Sequence, residues 1–401
     1  MIELGDAQRR VLSGCAPLHP RAVPLADALG CVTSVDLRAD EAVPPFANTA
    51  MDGYAVRAQD TADAPVRLDV TGTLAAGADA AAFTVGAGKA VRIMTGAPMP
   101  AGADAVVMVE LTRAEDDGRS VTIEKPVQMG DHVRAAGDDI AAGQVVFGAG
   151  TALGPGHLGV LASLGYARVP VYPRARVGVL STGDELLDGG GRLRPGQIRD
   201  SNRPTLLALV RQSGFEPVDL GVAPDDEEAI SAAVERGLEE CDALVTSGGV
   251  SVGDFDHVKA VLDRLGRMHW MQVAIRPAKP LAFGVVGEKP VFGLPGNPVS
   301  SMVSYELFAR PGLRQMTGHR ELFRPEVVAV ADEPLPRRPD GKVHFVRVVC
   351  TEGDDGRRRV RSSGGQASHL LRAMALANAL AVVPDGHGVD TGETVRTLLL
   401  G

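Results

Sequence analysis

Hydrophobic and polar positions change rhythm along the chain, and each rhythm predicts a different kind of structure. From Ile2 to about Arg38, DAQRRVLSGCAPL has apolar residues at helical spacing, and PLADALGCVTSVDL reads as a short helix leading into a strand. Between about Ala39 and Gly137, the strand-length segments YAVRA, VRLDVTGTL, AVRIM, AVVMVE and SVTIEK are cut by Gly, Pro and Asp. This predicts an all-β unit. From about Arg174 to Arg320 the two periods alternate. RVGVLST precedes helical SNRPTLLALVRQSG, PVDLGVA precedes DDEEAISAAVERGLEE, and ALVTS precedes DHVKAVLDRLG. MQVAI, LAFGVV and VFGLP then lead into helical PVSSMVSYELFARPGL. Alternation of this kind predicts parallel strands with crossover helices, an open α/β sheet whose ligands bind at strand carboxyl ends. After about Glu321, EVVAVA, VHFVRVVCT, RRVRSS, ALAVVP and ETVRTLLL predict a small β domain, with helix limited to about residues 368–377.

Composition narrows the function classes. With 401 residues and 45% hydrophobic content, the chain has material for several cores. Its 41 basic and 50 acidic residues leave a net charge of -9, which argues against sequence-independent nucleic-acid binding but permits an anionic substrate where cations gather locally. Cys15, Cys31, Cys241 and Cys350 lie too far apart for a zinc pattern or a disulfide framework, which suits a reducing compartment. Met1 to Arg10 has no apolar signal core, and no apolar run approaches the roughly 20 residues of a membrane span. The expectation is a soluble, cytoplasmic protein with neither nucleic-acid nor membrane partners.

Candidate chemistry concentrates in the α/β stretch. Three loops follow predicted strands and combine Gly with small hydroxyl residues. They are Ser181-Thr182-Gly183-Asp184-Glu185, the run from Thr246 through Gly248, Gly249 and Ser251 to Asp256, and Gly293-Leu294-Pro295-Gly296-Asn297-Pro298-Val299-Ser300-Ser301 before a helix. Glycines let a backbone approach a ligand, and free N–H groups at a helix start attract phosphate, so three such loops on one sheet predict an anion-binding site. Arg276-Pro277-Ala278-Lys279-Pro280 supplies two cations three residues apart, able to converge on an oxyanion. Glu185, Asp225 and Asp256 gather carboxylates at the same loops, which suits magnesium beside a phosphate. Asp225 and Asp256 are equally readable as helix N-caps. Earlier in the chain, Asn48-Thr49 and Asp52-Gly53 are expected to form turns presenting Asp52, anchored by Phe46 and Tyr54. Gly86-Ala87-Gly88-Lys89 is no nucleotide loop, because Phe83 and Ala90 occupy its required Gly and Ser/Thr positions. The nine histidines show no metal-ligand spacing, and no GxSxG elbow marks a hydrolase.

Taken in order, PPFANTAMDGYAVR, IMTGAPMPAGADAVV, STGDEL, GQIRDSN, TSGGVSVGDFD, RPAKP, GLPGNPVS and SSGGQASHL closely resemble the molybdopterin molybdenumtransferases, the MoeA and gephyrin E-domain family, over nearly the whole length. The resemblance implies a multidomain α/β plus β architecture. Residues 1–19 with 170–320 would form an open, MogA-like α/β pterin-binding domain, and 20–38 with 138–169 a linker domain. Residues 39–137 would form a split, projecting β-rich domain, and 321–401 a small C-terminal β domain. It also implies an L-shaped homodimer whose cleft is shared between subunits, so that Asp52 acts in trans. Adenylyltransferase and molybdoenzyme partners are further implications.

The implied reaction inserts molybdate into adenylylated molybdopterin, with Mg2+, releasing AMP and molybdenum cofactor. Arg276 and Lys279 match the family's cationic pair. Ser300, Ser368 and Arg347 would help hold the oxyanion. Ser181, Thr182, Gly248, Gly249, Ser251, Pro295, Gly296, Asn297 and Pro298 would hold pterin and phosphates. Asp52, Asp256 and Glu185 would serve the chemistry, with Asp225, Glu185 and Asp256 at the magnesium. Three positions depart from the family pattern. Ala278 stands for a glycine and would be strained if its φ is positive, Gln272 stands where some members have lysine, and Ala47 where an acidic residue is common. Two alternatives stand beside it: a molybdopterin adenylyltransferase using ATP, which the α/β stretch alone would suit, and a non-catalytic dimeric scaffold with the same fold.

Overall fold

A computed structural model of the protein describes residues 1–115, 118–249 and 257–400. Its centre is a six-stranded sheet. In chain order its elements are helix α1 (Leu4–Ser13), β1 (Arg176–Thr182), α2 (Asn202–Gln212), β2 (Glu216–Ala223), α3 (Glu227–Glu240), β3 (Ala243–Ser247) and α4 (His257–Leu265). There follow β4 (Arg267–Gln272), β5 (Pro280–Val286), β6 (Lys289–Leu294) and α5 (Pro298–Ser304). The strand order is β2-β1-β3-β6-β5-β4, with β2, β1, β3 and β6 mutually parallel. β1 and β3 are almost continuously buried, as strands covered on both faces must be. β5 runs antiparallel to both neighbours. Its connections, Gln272 to Pro280 and Val286 to Lys289, are too short for a crossover helix, so the all-parallel expectation fails there.

α1 belongs to this unit although about 160 residues separate it from β1. Ala7, Val11 and Cys15 share one core with Val177, Val245 and Phe292, and Ile2 bridges to Val273. The segment read as one helix after Pro298 is α5, a π-turn over Tyr305–Ala309 and a helix over Arg310–Met316. Pro311 explains the break, since its ring conflicts with the carbonyl four residues back. That carbonyl, on Leu307, accepts instead from Gln8 Nε2 at 3.2 Å.

Two further units lie N-terminal to the sheet. Strands Arg21–Pro24, Arg168–Tyr172 and Val32–Thr33 form a small sheet whose core holds Leu37, Leu153, Leu161, Val169 and Val171. The second unit is a six-stranded sheet with Gly53–Val56 paired to Ala105–Met108 and Lys89–Ile93. Alternation puts Tyr54 and Val56 in one core and Ala55 in the other, so both faces are covered. Asn48–Thr49 is a short strand paired with Val133–Arg134 rather than a turn. Phe46 is 47% exposed and is not an anchor; Tyr54 is buried.

The C-terminal strands Val343–Glu352, Arg358–Ser362, Glu326–Ala331, Thr394–Leu399 and Ala379–Val383 close into a barrel, because the first also pairs with the last. Phe345, Met374 and Leu380 pass from it into the α/β core. MQVAI is not one strand. β4 ends at Gln272, and Ile275–Arg276 adds to the barrel in parallel, opposite Val343 and His344. The Arg276–Lys279 strap is therefore stretched between two domains. No helix among the described residues is long and apolar enough to cross a membrane.

Candidate functional site

The parallel register sets the three turns side by side. Ser181 is level with Ser247, and Ser247 with Leu294, so STGDE, TSGG and LPGN leave the sheet at one height. Glycine is required at Gly248: its φ is +99°, and a Cβ there would lie 2.7 Å from the Thr182 carbonyl oxygen. A Cβ on Gly296 would lie 3.8 Å from Gly248 Cα, so these two turns stack backbone to backbone. Asn202, which the sequence reading left unassigned, joins them. Its Nδ2 donates to Ser247 Oγ at 2.8 Å and to the Gly296 carbonyl at 2.7 Å. Asp200, whose side chain is covered, holds this residue by accepting from the backbone N–H groups of Asn202 and Arg203. Beneath the turns, the hydroxyls of Ser181 and Thr182 are buried without a partner among the described residues. Gly249 has φ +65°. Ser251 and Asp256 lie outside the described residues.

Carboxylates line the β1 side. The Glu185 side chain folds against Gly183, where a Cβ would fall 2.5 Å from Glu185 Oε2. Asp184 Oδ1 accepts from Asp225 N–H at 3.0 Å, and Asp225 Oδ2 from Asp184 N–H at 3.4 Å, so these two carboxylates sit together. Asp226, not Asp225, caps α3, accepting from Ala229 N–H at 2.9 Å. Among the described residues no three acidic, histidine or cysteine side chains converge as a ready-made metal cage. Glu185 and Asp225 carry carboxylate oxygens, the donor type that a hard cation keeping most of its waters takes from a protein.

The strap opens on a cavity of about 380 Å³. Arg276, Lys279, Ser300 and Ser368 all line it, together with Lys342 and His369, which the sequence reading did not single out. Among the described residues no lining residue is acidic, so a protein of net charge -9 has gathered cationic side chains here. Ser300 reaches the cavity from α5, the helix that LPGN begins. Val299 N–H donates to the Ser368 carbonyl at 3.1 Å, closing the α5 start onto the barrel loop. Ala278 is buried with φ +73°, the strained conformation expected if glycine is missing.

Arg347 stands behind this loop. It lines an adjoining cavity of about 530 Å³, which shares Arg276 and Gln366 with the first. Its guanidinium donates to the carbonyls of Gly365 at 3.1 Å and Ala367 at 3.2 Å, while Nε has no partner among the described residues. Burial, and then the nearby Arg276 charge, pushes its pKa down to about 10. Gln366 accepts from Arg347 N–H at 2.9 Å and donates back to its carbonyl at 3.1 Å, so the loop carrying Ser368 is folded around Arg347.

Asp52 lines neither cavity and is exposed beside the Gly53–Val56 strand of the N-terminal six-stranded sheet. Its Oδ1 accepts from both Thr95 N–H and Thr95 Oγ1, each at 2.7 Å. Those bonds, the backbone one first, hold its carboxyl below the usual range.

Three family models match the chain: "MoeA N-terminal region (domain I and II)" over residues 2–165, "Probable molybdopterin binding domain" over 178–315 and "MoeA C-terminal region (domain IV)" over 329–400. The chain is 42% identical over 395 residues to molybdopterin molybdenumtransferase 2 of Mycobacterium tuberculosis, covering 96% of each. It is 36% identical to molybdopterin molybdenumtransferase of Haemophilus influenzae, covering 98% of each. A crystal structure of a molybdopterin biosynthesis MoeA protein from Pyrococcus horikoshii is similar throughout, with TM-score 0.81 and 32% identity over 100% of this chain and 99% of that one.

Proposed function

The chain belongs to the molybdopterin molybdenumtransferase family, and on that premise we propose that its strand-end turns and the Arg276–Lys279 cavity form one active site, where molybdate is inserted into adenylylated molybdopterin. The observation that carries this reading is the cavity itself. Arg276, Lys279, Ser300 and Ser368 surround about 380 Å³ with no carboxylate lining it among the described residues, at the head of the helix that LPGN begins. Molybdate is a dianion that must approach two sulfurs and a phosphate. Fixed cations that offset this crowded negative charge lower the cost of assembling the reactants and of reaching the transition state.

In this reading, Ser181, Thr182, Gly248, Gly249, Pro295, Gly296, Asn297 and Pro298 cradle pterin and phosphates, joined by Ser251 from outside the described residues. Ser300 and Ser368 donate to oxyanion oxygens, and Arg347 braces the loop that carries Ser368. Glu185 and Asp225, with Asp256, are the residues that would hold magnesium. When bound, the ion would offset charge at the phosphoanhydride whose cleavage releases AMP. Asp52 is exposed and held as a carboxylate by Thr95, which suits a group that completes the cleft of a second subunit.

The test is direct. Protein supplied with adenylylated molybdopterin, molybdate and magnesium should release AMP. Adenylylation of metal-free molybdopterin from ATP would instead establish the adenylyltransferase reading, and neither reaction would leave the scaffold.

A further inference from the structure

We propose that Lys342 is a third oxyanion-binding cation of the Arg276–Lys279 cavity and that Asp340 is the residue that positions it. The proposal rests on the reading of that cavity as the molybdate site, and it goes beyond that reading by adding residues from the C-terminal barrel.

Lys342 lines the same cavity as Arg276, Lys279, Ser300 and Ser368, yet enters it from the opposite domain. Its backbone is held on both sides. Arg337 Nη1 donates to the Lys342 carbonyl at 2.7 Å, and the next residue, Val343, donates its N–H to the Ala274 carbonyl at 2.9 Å. The latter bond belongs to the junction where Ile275 and Arg276 pair with Val343 and His344. The position of Lys342 relative to Arg276 is therefore set by backbone pairing between domains.

The side chain is held as well. Lys342 Nζ donates to Asp340 Oδ2 at 2.9 Å, with the lysine side chain only 21% exposed. Asp340 is itself fixed, its Oδ1 accepting from Arg337 Nη2 at 2.7 Å and its backbone N–H donating to Asp385 Oδ1 at 3.0 Å. His344 Nε2 lies 3.2 Å from both Asp340 oxygens. One carboxylate thus faces three basic side chains, and hydrogen bonds from Lys342 first and then His344 pull its pKa down to about 2. An ammonium has three donors, and Asp340 occupies one. The remaining two are available to a dianion in a cavity that no acidic residue lines among the described residues. Without Asp340 the long side chain would lose rotamer freedom on binding, a cost the ion pair removes in advance.

The experiment follows AMP release with molybdate varied and adenylylated pterin saturating. Lys342→Met should raise the half-saturating molybdate concentration about tenfold, as expected for losing one charge-assisted hydrogen bond, while pterin affinity stays within about twofold. Lys342→Arg should restore most of the loss, which also separates a lost charge from a damaged fold. Asp340→Asn should have a smaller effect, and combining it with Lys342→Met should add nothing to Lys342→Met alone. An unchanged half-saturation in Lys342→Met while Lys279→Met still raises it would overturn the role of Lys342 and leave the cavity reading intact. If neither variant moves it, both fall. An additive double variant would overturn the positioning role of Asp340.

Discussion

Asn202 Nδ2 donates to the Ser247 hydroxyl at 2.8 Å, and the same group reaches the Gly296 carbonyl at 2.7 Å, so one α2 residue ties TSGG to LPGN. Each such bond contributes about 1 kcal/mol net, so Asn202→Ala is expected to weaken adenylylated-pterin binding about tenfold or more. The half-saturating molybdate concentration should stay near wild type. Equilibrium pterin binding checks the first point and AMP release the second; equal losses in both would mean general collapse of the site.

Thr95 controls the ionisation of Asp52. Thr95→Val keeps the backbone donor and removes the hydroxyl, so the Asp52 pKa should rise part of the way back to the ordinary carboxylate value. Because the folded value is depressed, the stability linked to Asp52 is present above the ordinary carboxylate range and is lost as pH falls through the folded value. If ionised Asp52 serves the reaction, the acid limb of activity should move to higher pH in Thr95→Val. A pH profile of AMP release identical to wild type would separate Asp52 from the chemistry.

Ala278 sits at φ +73° and is almost fully buried, so two effects oppose each other on replacement. Glycine relieves about 1–2 kcal/mol of left-handed strain but loses a buried methyl worth about 0.8 kcal/mol and gains unfolded-state entropy. Ala278→Gly should therefore lie within about 1 kcal/mol of wild type. Ala278→Val adds a β-branched side chain to the same φ and should cost on the order of 2 kcal/mol or more. Denaturant titration of both variants measures the difference.

Arg347, Arg276 and Lys279 carry charge without an acidic partner among the described residues, so a bound dianion should stabilise the fold. Molybdate at about 100 times its dissociation constant should add about 2.7 kcal/mol, raising the melting temperature. Arg276→Ala should reduce that rise. A melting temperature insensitive to molybdate in the wild-type protein would count against the cavity as an anion site.

Much of this architecture is legible in residue order because its signals are local. The apolar run RVGVLST and the helical spacing of EEAISAAVERGLEE predict β1 and α3 to within a few residues. What escaped depends on contacts remote in sequence. Ile275–Arg276 looks like the end of a strand, but its partner is Val343–Glu352, about 70 residues later. Asn202 and Lys342 are ordinary polar residues until the fold brings them to Ser247 and Arg276. Pro311 lies inside the segment read as one helix, and only the bond from Gln8 to the Leu307 carbonyl shows how the chain accommodates it. Phe46 followed the habit of aromatic anchors, and its exposure shows that the habit fails where no core lies beneath.

The central claim is that the Arg276–Lys279 cavity receives the metal oxyanion. Its most direct test is the half-saturating molybdate concentration for AMP release in Lys279→Ala against wild type, with adenylylated pterin saturating. A rise of about tenfold or more, with pterin affinity unchanged, is the predicted result. Identical molybdate dependence in the two proteins would contradict it.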